Sequence, residues 1–312
     1  MRIGLDIMGG DFAPDATVLG AIAAYKALEP QQKLVLIGDK NLAQRVFAEQ
    51  NFSPDLIEFI HTTETIGMGE HPTKAITQKP NSSIGIGFSM LKAGEIDSFS
   101  SAGNTGAMLV GAMFSVKTVP GVIRPAISSV VPKVKKGYGI MLDVGANADC
   151  KPDTLLQFGV LGSLFVENIH GVANPRVGLI NIGEEEGKGN MLMIATHSLM
   201  KETNLFNFVG NVEGRDMFYD KADVIVCDGF TGNVILKLAE TFYDLTRNSG
   251  FENEFFAKFN YEQYGGSPIL GVNAPVIIGH GISTPEAIKN MVLLSRSMIT
   301  TKLIDKIKAA FK

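Results

Sequence analysis

Several short apolar runs in this chain end abruptly in small, polar, glycine-rich segments. Four such segments occupy residues 101–107, 142–147, 181–190 and 227–233, and a fifth, at 8–11, follows the first apolar run. Glycine permits sharp turns and lets consecutive backbone N–H groups point at one place, where an anion can bind. If these segments meet at one edge of a parallel sheet, they form a cleft for a phosphate-sized anion.

Short β-type runs alternate with helical patterns along nearly the whole chain. This alternation favours an α/β fold with a mostly parallel, Rossmann-like sheet flanked by helices on both faces. No repeat or low-complexity linker divides residues 1–312, so the sequence predicts a single catalytic unit, with two lobes as the alternative. Strands are predicted at 3–7, 34–37, 56–60, 98–101, 126–131, 139–144, 177–182, 224–227 and 276–278, and helices at 14–28, 40–50, 82–94, 104–115, 153–169, 189–202, 232–247 and 285–311.

Composition limits the classes of function. Hydrophobic residues make up 45% of the chain and charged residues 19%, as in an ordered globular enzyme. A net charge of −4 gives no basic field for nucleic acid. The first strand begins almost at once without an apolar leader, and the most apolar stretches are shorter than the ~20 residues of a membrane span. The sequence therefore predicts a cytoplasmic protein.

The two cysteines and five histidines follow no metal-binding pattern, so the sequence predicts no metal site. Cys227 closes an apolar run and is predicted to be a buried structural thiol. His280 directly follows the strand at 276–278 and lies between two glycines. It is the strongest candidate for catalysis among the histidines.

A nicotinamide-dependent dehydrogenase is the first alternative. Asp39 follows the second strand, where a ribose-binding acid would lie, but the first turn lacks G-x-G-x-x-G and carries Asp11 where the pyrophosphate needs donors. A P-loop kinase is excluded, because the segment at 187–189 lacks the Ser or Thr that binds magnesium. A mechanism without a protein nucleophile remains, in which bound orthophosphate attacks a reactive acyl carbonyl and the protein stabilises the oxyanion.

The glycine-rich segments resemble those of the bacterial PlsX family, the phosphate acyltransferases that act on acyl-acyl-carrier-protein. The resemblance runs from residue 1 to about 290. The motifs that carry it lie at 8–14, 101–107, 142–147 with 150–152, 181–190, 210–216, 228–233 and 264–271.

This resemblance implies a reversible transfer of the acyl group from acyl carrier protein to orthophosphate, for membrane phospholipid synthesis. It also implies a fold like that of phosphotransacetylases and isocitrate/isopropylmalate dehydrogenases, a homodimer, and no nicotinamide or metal. Acyl carrier protein and orthophosphate are the implied partners, and the membrane glycerol-phosphate acyltransferase is a candidate recipient of the product. A non-catalytic scaffold of lipid synthesis is the alternative from another class.

Loop chemistry and resemblance together predict the site. Phosphate is expected across Asn104, Thr105 and Gly106, with Lys188 adding positive charge. The catalytic candidates are Asn104, Lys188, Asp228 and His280, and the predicted substrate-binding residues are Gly10, Asp11, Thr105, Gly106, Asp143, Asn147, Asn190, Thr231 and Asn233.

Two surface segments bear on partners. Family members commonly carry a longer apolar helical hairpin where this chain has a short and polar segment at 245–262, which argues against membrane attachment by that element. Peripheral attachment at the membrane is the alternative to the cytoplasmic location. Lys133, Lys135 and Lys136 form a candidate basic patch for the acidic carrier protein, and the lysines of the last predicted helix form another.

Overall fold

The computed structural model describes residues 1–135, 137–250, 253–260 and 263–312. The chain forms two compact units, each built from two stretches of sequence. The first unit contains Met1–Lys117 and Tyr261–Thr300, and the second contains Thr118–Asn260 and Thr301–Lys312. No change of composition marks these boundaries in the sequence.

The strands and helices of the described residues follow in chain order. The strands are β1 (Arg2–Asp6), β2 (Lys33–Gly38), β3 (Glu58–His61), β4 (Ser98–Ser101), β5 (Ala126–Pro132), β6 (Tyr138–Leu142), β7 (Arg176–Asn181), β8 (Asn207–Glu213), β9 (Val224–Val226), β10 (Ser267–Leu270) and β11 (Val276–Ile278). The helices are α1 (Asp15–Ala27), α2 (Lys40–Glu49), α3 (Pro72–Gln78), α4 (Ser83–Ala93), α5 (Thr105–Gly111), α6 (Pro152–Phe165), α7 (Met191–Glu202), α8 (Gly229–Asn248), α9 (Glu254–Ala257), α10 (Pro285–Thr300) and α11 (Leu303–Ala310).

In the first unit the strand order is β3-β2-β1-β4-β11-β10. Every neighbouring pair is parallel except β10 and β11. The central strands are apolar and buried, with Ile3, Leu5 and Phe99 fully inaccessible. Helices α1 and α10 pack closely, since a Cβ at Gly20 would lie 2.5 Å from that of Ile288.

In the second unit the strand order is β5-β6-β9-β7-β8. The β5–β6 pair is antiparallel and the other pairs are parallel. Helix α6 packs against this sheet at Gly162, where a Cβ would lie 2.5 Å from Val224. In both units the glycine-rich segments follow the carboxyl ends of parallel strands, the usual place for ligands in such sheets.

The predicted α/β fold class is confirmed, and the nine predicted strands all occur. β8 and β10 are not among the predictions, because β8 contains Gly210 and two asparagines and β10 contains Pro268. The predicted helix at 285–311 is wrong. Its chain breaks at Lys302, whose φ of 53° is left-handed, so that α10 ends in the first unit and α11 lies in the second.

The segment at 245–262 is only partly polar. Phe255, Phe256 and Phe259 pack together with Phe218, at ring-centroid distances of 5.2 to 6.3 Å. Positions 251, 252, 261 and 262 of that segment lie outside the described residues. Among the helices that the structure describes, none combines the length and the apolar character needed to cross a bilayer.

Candidate active site

In the first unit, the turn after β1 meets the turn after β11. The backbone N–H of Asp11 donates to the carbonyl oxygen of Gly281 at 2.7 Å. Gly10 has a φ of 107°, which only glycine adopts without strain. His280 is half-buried beside them, and its Nδ1 accepts a hydrogen bond from the N–H of Ile282 at 3.4 Å. The predicted residues Gly10, Asp11 and His280 are therefore neighbours.

The side chain of Asn104 is buried and its polar atoms are occupied by protein groups. Its Oδ1 accepts from the N–H of Ala107 at 2.9 Å, which caps α5. Its Nδ2 donates to the carbonyl oxygens of Gly67, Met68 and Glu70 at 3.0 to 3.1 Å. Asn104 thus anchors the 67–70 loop beside the start of α5, and the neighbouring Thr105 is exposed.

Asp6, which the sequence analysis did not select, ties these turns together. Its carboxylate accepts from the hydroxyl of Ser101 at 2.6 Å and from the N–H of Met8 at 2.8 Å. Burial raises the pKa of Asp6 above its usual range, although these hydrogen bonds act in the opposite direction. Its signal in the sequence is only a carboxylate at the end of an apolar strand.

In the second unit, Asp143 organises the turn after β6 from a fully buried position. Its carboxylate accepts from the backbone N–H groups of Ile127, Ala146 and Asn147 and from Nδ2 of Asn147, at 2.6 to 3.1 Å. Burial raises its pKa, and the four donors limit that rise. Asp143 and Asn147 therefore hold the turn together from within the protein, and their place in a phosphate pocket stays a prediction.

The turn after β9 packs tightly against this one. The carboxylate of Asp228 accepts from both the N–H and the hydroxyl of Thr231, each at 2.8 Å. Nδ2 of Asn233 donates to the carbonyl oxygen of Val144 at 3.2 Å. A Cβ at Gly232 would lie 1.9 Å from the carbonyl oxygen of Asp143, so only glycine fits there. The structure thus brings five of the predicted residues together.

Lys188 lies on the long glycine-rich loop after β7 and is exposed. Nδ2 of Asn181 donates to the backbone carbonyl of Lys188 at 3.0 Å, and Nδ2 of Asn211 donates to that of Glu185 at 2.9 Å. Asn190 caps α7 through the N–H of Met193 at 2.9 Å. Among the residues that the structure describes, no hydrogen bond or ion pair engages Nζ of Lys188. Its ammonium group is therefore available for an anion.

Neither cysteine is suited to nucleophilic attack. Cys227 is fully buried, which confirms the predicted structural thiol, and burial raises its pKa. Burial and the nearby carboxylates of Asp143 and Asp228 raise the pKa of Cys150 to about 12. Because the thiolate is the nucleophile, Cys150 is largely unreactive at neutral pH.

Three carboxylates that the sequence analysis did not group lie together in the second unit. Oxygen atoms of Glu184, Glu213 and Asp216 are within 4.8 Å of one another. Lys221 pairs with Glu184 at 2.7 Å and with Asp216 at 3.0 Å, and Arg215 pairs with Glu213. The negative charge of this cluster is thus balanced by the chain's own cations.

The predicted basic patch is wrong at Lys133. This side chain is only 9% exposed, and its Nζ contacts Asp223 at 2.6 Å and Asp220 at 3.0 Å. The ammonium group of Lys133 is thus paired with two carboxylates and largely buried, so it is not available to bind a carrier protein. Lys135 is exposed, and Lys136 lies outside the described residues.

Solved structures with a similar fold include phosphotransacetylases. The one from Streptococcus pyogenes superposes with a TM-score of 0.68 at 15% identity, covering 96% of this chain and 94% of that chain. The EutD phosphotransacetylase from Staphylococcus aureus gives a TM-score of 0.65 at 16% identity, with the same coverage. At such identities the likeness defines the class of fold, an α/β protein of the phosphotransacetylase type.

Sequence relatives define the family. A family model described as fatty acid synthesis protein matches residues 1–248. The chain is 41% identical over 327 residues to the phosphate acyltransferase of Dictyoglomus turgidum, covering 98% of this chain and 96% of that protein. It is 42% identical over 328 residues to the phosphate acyltransferase of Halothermothrix orenii, and the match covers 99% of this chain and 98% of that protein. The chain therefore belongs to this family of phosphate acyltransferases, which confirms the resemblance, and it is an enzyme of the acyltransferase class.

Proposed function

We propose that this enzyme transfers the acyl group of an acyl-[acyl-carrier-protein] thioester to orthophosphate, reversibly, giving acyl phosphate and free carrier protein. The observation that carries the proposal is the identity of about 40% to phosphate acyltransferases along nearly the whole chain. The acyl phosphate then serves membrane phospholipid synthesis, with the membrane glycerol-phosphate acyltransferase as the recipient.

In the proposed step, a phosphate oxygen attacks the thioester carbonyl carbon. A C–O bond forms, the C–S bond breaks, and the carrier-protein thiolate leaves and takes up a proton. Phosphate is a useful nucleophile near neutral pH because a substantial part of it is already the dianion. The protein needs only to hold it beside the carbonyl and to stabilise the developing oxyanion.

Two groups of residues are candidates for binding the phosphate, one in each unit. In the second unit, Lys188 offers an exposed ammonium group next to a glycine-rich turn. In the first unit, Thr105 and Gly106 begin α5, where backbone N–H groups and the helix dipole favour an anion. Because the side-chain atoms of Asn104 are occupied, its proposed role is to position this turn.

The alternatives have less support. A dehydrogenase would place the pyrophosphate of its cofactor beside the exposed carboxylate of Asp11, which would repel it. A scaffold would not need the hydrogen-bonded turns of Asp143 and Asp228.

The proposal also includes a homodimer. It includes a cytoplasmic location, with the membrane surface as the alternative.

Trapping acyl phosphate with hydroxylamine tests the reaction. Palmitoyl-carrier protein and orthophosphate should yield hydroxamate above the background that hydroxylamine forms directly from the thioester, and leaving out phosphate or enzyme should reduce the yield to that background. A parallel reaction with palmitoyl-coenzyme A identifies the donor, since the carrier-protein thioester should be the better substrate. If millimolar phosphate adds no hydroxamate to that background, the proposed reaction is wrong.

A further inference from the structure

The second unit contains a large cavity that the proposed step does not yet use. It has a volume of about 710 Å³, within the range of roughly 300–1,000 Å³ of small-molecule sites. Its walls come from one side of α8, the first turn of α7, the end of β7 and the segment after β8. The apolar side chains that matter most are Met193, Met217, Phe218, Ile235, Leu238 and Phe242.

Polar groups occur at one end of this cavity. There the lining consists of Asn181, Gly189, Asn190 and Thr231, of which Asn190 and Thr231 are predicted substrate-binding residues. Gly189 directly follows Lys188, so the cavity and the candidate phosphate-binding lysine belong to the same glycine-rich loop. Away from that loop the lining is apolar. A ligand that matches it has one polar, reactive end and a long hydrocarbon body.

The helix that closes the cavity is itself apolar on its outward side. Phe230, Val234, Leu238, Phe242 and Leu245 are 42 to 68% exposed and recur at helical spacing along α8. Leu238 and Phe242 belong both to this exposed stripe and to the cavity lining. A hydrocarbon chain therefore has a continuous apolar path from the surface of α8 into the cavity.

We propose that this cavity binds the acyl chain of the thioester, with the carbonyl end at Asn190 and Thr231 and the hydrocarbon end against Phe218 and Phe242. The inference rests on the proposed function and adds to it the subsite that measures acyl-chain length. A second copy of this chain would also cover the stripe on α8, but it has no need of polar groups at one end only. The acyl chain explains both features.

Filling the cavity tests the assignment. Ala239 lines it from α8, so Ala239→Phe adds a ring inside. Each methylene that loses its apolar contact weakens binding about fourfold. We therefore expect Ala239→Phe to lower kcat/KM for palmitoyl-carrier protein about tenfold or more relative to octanoyl-carrier protein, with KM for phosphate unchanged. Thr241→Phe, at an exposed position of the same helix outside both the lining and the apolar stripe, is the control and should keep the wild-type ratio.

A second measurement does not depend on turnover. Carrier protein bearing an acyl chain with a terminal diazirine is photolysed with the full-length enzyme, and adducts are mapped by peptide mass spectrometry. Adducts on α8 or at residues 217–218 support the subsite. Adducts elsewhere overturn it, as does an unchanged chain-length ratio in Ala239→Phe. If that variant changes only the sedimentation mass, a second copy occupies the surface and the proposal is likewise wrong. Cavity adducts without any acyl phosphate would refute the proposed reaction alone.

Discussion

The buried carboxylate of Asp6 accepts a hydrogen bond from the buried hydroxyl of Ser101 across 2.6 Å, joining the ends of the neighbouring strands β1 and β4. The same hydroxyl oxygen accepts from the N–H of Gly103 at 2.9 Å. Gly9 packs into this junction so closely that a Cβ there would lie 2.5 Å from the backbone nitrogen of Gly103. The turn that leads into α5 is thus fixed by one buried carboxyl group and the hydroxyl that it contacts.

Ser101→Ala should destabilise the protein by about 1–3 kcal/mol, because it removes one donor from a buried carboxylate and one acceptor from a buried N–H. Ser98 is the matched control on the same strand. Its hydroxyl is buried and has no hydrogen-bond partner among the residues that the structure describes, so Ser98→Ala should cost less. Denaturant unfolding followed by circular dichroism measures both, since the chain has no tryptophan. Equal losses in the two variants would contradict the role given to Ser101.

Most strands could be predicted because their signal is local. The run at 224–226 is apolar, β-branched and followed by turn residues, and it is fully buried as β9. The order of the strands is not local information. β11 lies at 276–278 and pairs with β4 at 98–101. The chain therefore runs through most of the second unit before it completes the sheet of the first unit.

The candidate site was predictable in residue type and less so in role. Asn104 in a glycine-rich turn suits either a helix cap or an anion contact, and its three carbonyl partners lie far away in sequence at 67–70. The prediction of Lys133 on an exposed basic patch failed for a similar reason. Its partners Asp220 and Asp223 are distant in sequence and approach it only in the folded chain. Sequence patterns identify such groups but do not show which partner satisfies them.

Lys188→Ala should raise KM for phosphate about tenfold or more, the usual effect of losing a hydrogen bond to a charged group. The free energy of unfolding should not change, because Nζ of Lys188 engages no described residue. Lys201→Ala is the control, since it removes an exposed lysine of the same unit that pairs with Glu186. Steady-state kinetics with varied phosphate decide the matter. An unaltered phosphate KM would remove Lys188 from the proposed site.

Gly232→Ala should destabilise the second unit by about 1–3 kcal/mol, the typical cost of overpacking. The new methyl group would lie 1.9 Å from the carbonyl oxygen of Asp143 and 2.9 Å from Sγ of Cys227, so two turns of the candidate site must separate. Gly187→Ala is the control, because its Cβ would meet nothing within 4 Å. Unfolding curves and acyl phosphate formation should both distinguish the variants. Equal stability of the two would show that the turns can adjust.

Asp223→Asn should cost on the order of 3 kcal/mol at neutral pH, because it leaves the buried Lys133 with one partner fewer. Burial alone would raise the pKa of Asp223, but hydrogen bonds from Arg176 and Lys133 outweigh it and hold the pKa well below its usual range. The stabilisation is therefore present above the ordinary aspartate pKa and is lost as the pH falls through the lower, folded-state value. Chemical denaturation of the wild type and of Asp223→Asn at several acidic pH values measures this. The difference between their free energies of unfolding should become smaller as the pH falls. A difference that stays constant down to strongly acidic pH would be incompatible with this charge network.

His170 gives the second unit a separate sensitivity to mild acid. It lies between the rings of Tyr138 and Phe165, at centroid distances of 4.7 and 5.4 Å. Burial lowers its pKa from 6.5 to about 4. Between these values the unfolded chain binds a proton that the folded protein does not, so stability falls as the pH drops, by up to about 3 kcal/mol.

His170→Phe should remove this dependence and keep the aromatic packing. The free energy of unfolding of the variant should change less than that of the wild type between pH 6.5 and 4, as measured by urea titrations at each pH. Nδ1 of His170 has no hydrogen-bond partner in the described part of the chain, so replacing it with a carbon atom breaks no hydrogen bond of that nitrogen. Parallel curves for the two proteins over that interval would mean that His170 is protonated in the folded state. In that case its contact with the two rings would not exclude the charged form.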